Sequence, residues 1–167
     1  MSQKKPTKRG AAQAGKRPID RPAIDEYFMQ MAHLAATRST CMRLAVGAVI
    51  AKEKRLLSTG YNGAPRGMAH CEEVGCLRER LKVPSGQRHE LCRGVHAEQN
   101  AIVQAAYFGV SIKDATMYVT NSPCSVCAKL IVNAGITRVF YRDGYPDELA
   151  LEVLGEGGVT VKKLAGP

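Results

Sequence analysis

The sequence has no tryptophan, and aromatics make up only 5% of its 167 residues. That leaves little to stack on unpaired bases, which readers of single-stranded nucleic acid rely on. No apolar run approaches the ~20 residues of a membrane span. The N-terminus is charged and lacks the apolar core of a secretory leader. A cytoplasmic location with no membrane partner is the expectation. Six cysteines in a reducing compartment point to metal or catalysis rather than to disulfides. There is no internal repeat, and the length suits one domain. Such a chain buries roughly two thirds of its unfolded surface, so it needs no covalent staples.

Acidic residues are scarce at the start. Residues 1 to 21 carry Lys4, Lys5, Lys8, Arg9, Lys16, Arg17 and Arg21 against Asp20 alone, a net of +6 out of +9 for the whole chain. This stretch has almost nothing apolar to bury. The expectation is a disordered basic tail over residues 1–20 and one folded domain over 21–167. Because the charge sits in the tail and not on a folded face, a nucleic-acid partner is not expected.

Two segments carry the chemistry. One is His96-Ala97-Glu98; the other is Pro123-Cys124-Ser125-Val126-Cys127. Asn100 to Ala106 reads as a helix with His96 and Glu98 at its start. Ser125 to Asn133 reads as a second helix behind Pro123. Cysteines three apart on a helix share a face, and a helix start lowers a thiol's pKa. A catalytic zinc keeps three nitrogen or sulfur ligands and leaves the fourth position to water. His96, Cys124 and Cys127 make that set. Glu98 is then free to move protons as general acid and base, with the zinc-bound water as nucleophile. A structural zinc would want a fourth protein ligand, and neither segment has one nearby. A helical turn holds Cys124 and Cys127 poorly for a disulfide. His-x-Glu followed by Pro-Cys-x-x-Cys is the signature of zinc nucleobase deaminases.

The rest of the chain alternates. A helix is expected from Tyr27 to Arg38, capped by Asp25. A buried strand at Leu44–Ala51 turns at Lys52–Arg55 into a hairpin partner at Leu56–Tyr61. Met68 to Gly94 shows no strong periodicity and reads as a long loop. Strands at Ala115–Thr120, Arg138–Tyr141 and Val159–Leu164 flank the second motif helix and a last helix at Pro146–Leu154. Strands alternating with helices argue for an α/β layered domain with some parallel pairing.

The resemblance is wider than two motifs. Glu26-Tyr27-Phe28-Met29, Arg38-Ser39-Thr40-Cys41, Val46-Gly47-Ala48-Val49-Ile50, Thr59-Gly60-Tyr61-Asn62-Gly63-Ala64-Pro65, His96 to Ile102, Ala115 to Thr120 and Ser122-Pro123-Cys124 resemble the deoxycytidylate (dCMP) deaminases of the cytidine deaminase superfamily. The likeness covers about residues 22 to 142. It implies a three-layer α/β/α fold with a mixed five-stranded sheet. It implies hydrolysis of dCMP to dUMP and ammonia, feeding thymidylate synthesis. It also implies a homo-oligomer, most often a hexamer, with dCTP (with Mg2+) and dTTP as effectors. By position, Asn62 would bond the sugar; Val46, Gly47, Ala48 and Ala97 would line the base pocket; Tyr145 would approach the phosphate. Arg66 and Arg142 are candidate phosphate cations. Cys41, Cys71 and Cys92 match a second, structural zinc of some phage-type members, with His89 or Cys76 as the fourth ligand; buried free cysteine is the alternative.

Two other functions compete. One is a deaminase acting on a base in tRNA or single-stranded DNA, which shares the metal core. The other is a non-catalytic zinc module in competence or nucleic-acid uptake, in which Glu98 would have no purpose.

Overall fold

The structure, a computed structural model, describes residues 21–144 and 147–166. The expected tail and Tyr145 lie outside the described residues. Five strands form one sheet in the order β2-β1-β3-β4-β5: β1 Gly47–Lys52, β2 Arg55–Tyr61, β3 Thr116–Asn121, β4 Arg138–Asp143 and β5 Thr160–Lys163. β1 pairs antiparallel with β2 and β3, while β3, β4 and β5 run parallel. The sheet is therefore mixed, as expected. Each parallel pair is joined by a crossover helix: α5 (Ser125–Asn133) between β3 and β4, and α6 (Glu148–Glu156) between β4 and β5.

Alternation along the strands makes three layers. Val49, Ala51 and Tyr118 point to one face and pack against Phe28, Met29 and Ala32 of α1 (Ile24–Ala36). The scarce aromatics gather here. Tyr118 stacks on Phe140 at 5.3 Å and meets Phe28 at 5.2 Å. Ala48, Ile50, Met117, Val119 and Val139 point to the other face, against Ala101 and Ala105 of α4 (Ala97–Tyr107), Ile131 of α5 and Leu154 of α6.

Small residues let α1 and α4 approach the sheet closely. A Cβ at Gly47 would sit 2.0 Å from the Ala32 carbonyl oxygen, and one at Gly60 would sit 2.2 Å from that of Ala97. Backbone on both sides leaves no room for a side chain.

Several boundaries move, each for a local reason. α1 starts at Ile24 behind Ala23, and Asp25 is not its cap. The Asp25 carboxylate instead accepts the Tyr118 hydroxyl at 2.7 Å. β1 starts at Gly47 and not Leu44, because the lead-in is held by the Asn62 side chain: it accepts from Val46 N at 2.8 Å and donates to Leu44 O at 2.8 Å. Glu53 and Lys54 both take positive φ in the two-residue β1–β2 turn, the shape that matches strand twist. The segment read as a loop from Met68 to Gly94 holds α2 (Cys71–Val74), α3 (Leu77–Arg80) and a 3-10 turn at His89–Leu91. Elements of three or four residues are too short to leave a periodic pattern. α6 is described from Glu148, capped by Asp147, and Pro146 lies outside the described residues.

Candidate metal centre

α4 and α5 both begin at the same place. His96 is the N-cap of α4 and Cys124 the N-cap of α5, each with extended backbone. Parallel pairing of β3 to β4 brings α5 back over the sheet beside α4. His96 Nδ1 lies 3.5 Å from Cys124 Sγ and 3.4 Å from Cys127 Sγ. All three donor atoms fall within 4.8 Å of one another, and among the described residues no other His, Cys, Asp or Glu group is so gathered.

The spacing fits zinc. Tetrahedral bonds of ~2.3 Å to sulfur and ~2.05 Å to nitrogen put the two ligand atoms ~3.5 Å apart. The residues are also right chemically. A hydrogen bond with Cys124 holds the His96 imidazole's pKa up against burial. Cys124 is pulled down, first by the hydrogen bond with the Cys127 thiol and then by His96. Cys127 is pushed up by holding that shared hydrogen and by its burial. A dication would take the place of this proton and ionise both thiols.

Glu98 sits in the first turn of α4, only 4% exposed. Burial pushes its carboxyl up, against the pull of His96. It borders a cavity of about 480 Å³ that reaches from His96 and Cys124 to Thr40, Cys41 and Arg43. The backbone at the helix start is held by Gln99, whose side chain accepts from His96 N at 2.9 Å.

The expected substrate residues divide. Val46, Asn62 and Ala97 line the cavity. Gly47 and Ala48 do not: Gly47 is pressed against α1 and Ala48 is buried in the core under α4. The Asn62 amide is already busy, accepting from Ser39 Oγ at 2.6 Å as well as bonding Val46 and Leu44. Neither phosphate candidate lies in the cavity. Arg142 is 6% exposed and pairs with Glu26 and the Ala165 carbonyl, closing the C-terminal end onto α1. Arg66 stacks over Tyr107 at 5.2 Å. Asn121 and Ser122 line the cavity, and the sequence reading gave neither a role in the site; their place just before Pro123, at the end of a parallel strand, was the available signal.

Cys41, Cys71, Cys76, Cys92 and His89 all border the same cavity. Burial raises the Cys71 thiol, helped by its neighbours Cys76, Cys92 and Cys41. These donors are neighbours without the tight three-atom grouping of the first centre. His89 packs edge-on to the His96 ring at 5.0 Å. All six cysteines are free thiols.

Comparison with known proteins gives the family. Residues 22–143 match the family model for the cytidine and deoxycytidylate deaminase zinc-binding region. "ComE operon protein 2" of Bacillus subtilis is 42% identical over 147 residues, 87% of this chain and 74% of its own. The deoxycytidylate deaminase of Saccharomyces cerevisiae is 40% identical over 149 residues, 89% of this chain and 47% of its own, so the chain spans about half the length of that yeast protein. A crystal structure of the dCMP deaminase from cyanophage S-TIM5 in complex with dCMP and dUMP superposes with a TM-score of 0.70 at 33% identity, covering 86% of this chain and 98% of that one.

Proposed function

The chain belongs to the cytidine and deoxycytidylate deaminase family, and we propose that it is a zinc-dependent dCMP deaminase that converts dCMP and water to dUMP and ammonia. The observation that carries this reading is a buried carboxylate, Glu98, two residues from His96 at the mouth of a three-donor metal centre. His96, Cys124 and Cys127 hold the zinc. When bound, that zinc supplies Lewis-acid activation of the attacking water. Glu98 takes the proton from the water, places it on the ring nitrogen beside the attacked carbon, and protonates the amine as it leaves. A carboxyl raised toward the working pH by burial suits both halves of that task. The water oxygen becomes the new carbonyl and the C–N bond breaks, so atoms balance.

Val46 and Ala97 bound the base pocket in this reading. The unused amide hydrogen of Asn62 is left for the sugar. Tyr145 remains a candidate for the phosphate end. We also place a second, structural zinc at Cys41, Cys71 and Cys92. Cys76 is favoured over His89 as fourth ligand, since His89 packs on His96. A homo-hexamer with dCTP (with Mg2+) and dTTP as effectors follows the resemblance. The exposed Val103 and Tyr107 of α4 and Phe108 at its C-cap support association of copies. No helix among the described residues is long and apolar enough to cross a membrane, in keeping with a cytoplasmic enzyme.

Ammonia release with dCMP, deoxycytidine and a tRNA in parallel tests the reaction. Release with dCMP is the expected result; release from tRNA alone would replace it with the nucleic-acid reading. A non-catalytic module leaves the burial of Glu98 without a purpose.

A further inference from the structure

Two arginines, Arg78 buried and Arg43 half-buried, border the same cavity as His96 and Glu98, and among the described residues neither has a carboxylate partner. Arg78 of α3 is 8% exposed. Its Nη2 donates to the Pro84 carbonyl at 3.3 Å and to that of Gln87, while its Nε is buried with no partner. Arg43 reaches the same segment. Its Nη2 donates to the Val83 carbonyl at 3.1 Å, and its Nη1 is buried with no partner. Both side chains line the cavity. The ion pairs among the described residues involve Lys52, Arg88 and Arg142 but neither of these two.

This is a costly arrangement. Two guanidinium groups, one buried and one half-buried, donate to neutral carbonyls of one segment, and each keeps a buried N–H with no partner among the described residues. The fold treats its other buried arginine differently, since Arg142 meets the Glu26 carboxylate. An uncompensated pair of guanidinium forks is the usual receptor for a phosphate dianion.

We propose that Arg78 and Arg43 form the site for the 5′-phosphate of the substrate nucleotide. The inference rests on the dCMP reading above. It assigns the phosphate to α3 and to the lead-in before β1, and neither Arg66 nor Arg142 takes part. It also gives the segment between α3 and the 3-10 turn a task. Val83, Pro84 and Gln87 occupy one donor of each arginine and leave the others for the anion.

The experiment uses the full chain with its zinc. The ratio of kcat/KM for dCMP to kcat/KM for deoxycytidine is measured for the wild type, Arg78→Gln, Arg43→Gln and Arg78→Lys. Each glutamine variant should lower the ratio by about 10- to 100-fold, the worth of a charged hydrogen bond, and Arg78→Lys should lower it less. Equal losses on both substrates, with the ratio unchanged, would mean that the arginines only clamp the loop. Inorganic phosphate supplies a readout free of turnover. At matched ionic strength it should raise the melting temperature of the wild type, and that rise should vanish in Arg78→Gln. If neither substrate is deaminated but the phosphate effect persists and depends on Arg78, the deamination reading falls and the anion site stands. Absence of a phosphate effect in the wild type overturns the site itself. Should Arg78→Gln not fold, Arg78→Lys and Arg43→Gln carry the same comparison.

Discussion

His96 and Cys124 cap two different helices and face each other at 3.5 Å. Both helices direct their positive ends to one point, so the anionic donors gain from the same dipoles. The metal centre is thus a property of the α4–α5 junction, and in the proposed mechanism its residues separate binding from proton transfer.

That separation gives the first prediction. Glu98→Gln should keep its zinc, by elemental analysis, and lose turnover by at least about 10²-fold, the usual worth of a positioned general acid–base. Retention of a tenth of the activity would remove Glu98 from the proton path.

The proposed second zinc should separate from the first by mutation. Wild type should carry about two zinc ions per chain on the ligand arithmetic of closed and open sites. Cys71→Ser should lose one and melt earlier. Cys124→Ser should lose the other together with all turnover. One zinc per chain in fully active protein would leave Cys41, Cys71, Cys76 and Cys92 as packing thiols.

Gly60 tests how tightly the sheet supports the site. Its missing Cβ would lie 2.2 Å from the Ala97 carbonyl and 2.5 Å from Ala101 N, beneath the turn that carries His96 and Glu98. Gly60→Ala should cost about 3 kcal/mol or more of stability, as overpacking against rigid backbone does, and should weaken zinc retention by shifting α4. Gly155→Ala is the control. It lies in α6 with nothing within 4 Å of the added carbon, and should stabilise by up to about 1 kcal/mol. Equal urea midpoints for the two variants would refute the close-approach argument.

The metal centre was legible because its chemistry is local in sequence. His-x-Glu and Cys-x-x-Cys each occupy one helix start, and residue type, spacing and capping coincide there. The sheet was legible from the alternation of strands with helices and from Pro123 as punctuation. What stayed hidden depended on tertiary contacts. Nothing near Arg142 in sequence announces Glu26, 116 residues away, so a buried strut read as a phosphate cation. Gly47 and Ala48 look like pocket residues in a run that resembles the family, but strand parity sends them to α1 and to the core. Arg78 sits in a segment without periodicity, where only the folded cavity gives it meaning.

Asp147 ties the last crossover to the metal helix. Its Oδ1 accepts from Leu149 N at 3.1 Å and Ala150 N at 3.4 Å, capping α6, while Oδ2 accepts from Ser125 N at 3.0 Å at the start of α5. Burial pushes this carboxyl up, but the backbone N–H bonds from Ser125, Ala150 and Leu149 outweigh it and hold the pKa below its ordinary value of 3.8. A group with a depressed folded pKa adds stability that is complete above the unfolded value and is lost as pH falls through the folded one. Asp147→Ala should therefore cost about 1–2 kcal/mol at pH 7, as lost caps do, and the gap to wild type should narrow below about pH 4 as the wild-type carboxylate takes up its proton. Asp147→Asn, an equally good cap, should lie between the two at pH 7 and show less of the narrowing. Urea unfolding of the three proteins at pH 7 and pH 3 reads this directly. An Asp147→Ala gap of the same size at both values would mean that the carboxylate's charge contributes nothing to joining α5 and α6.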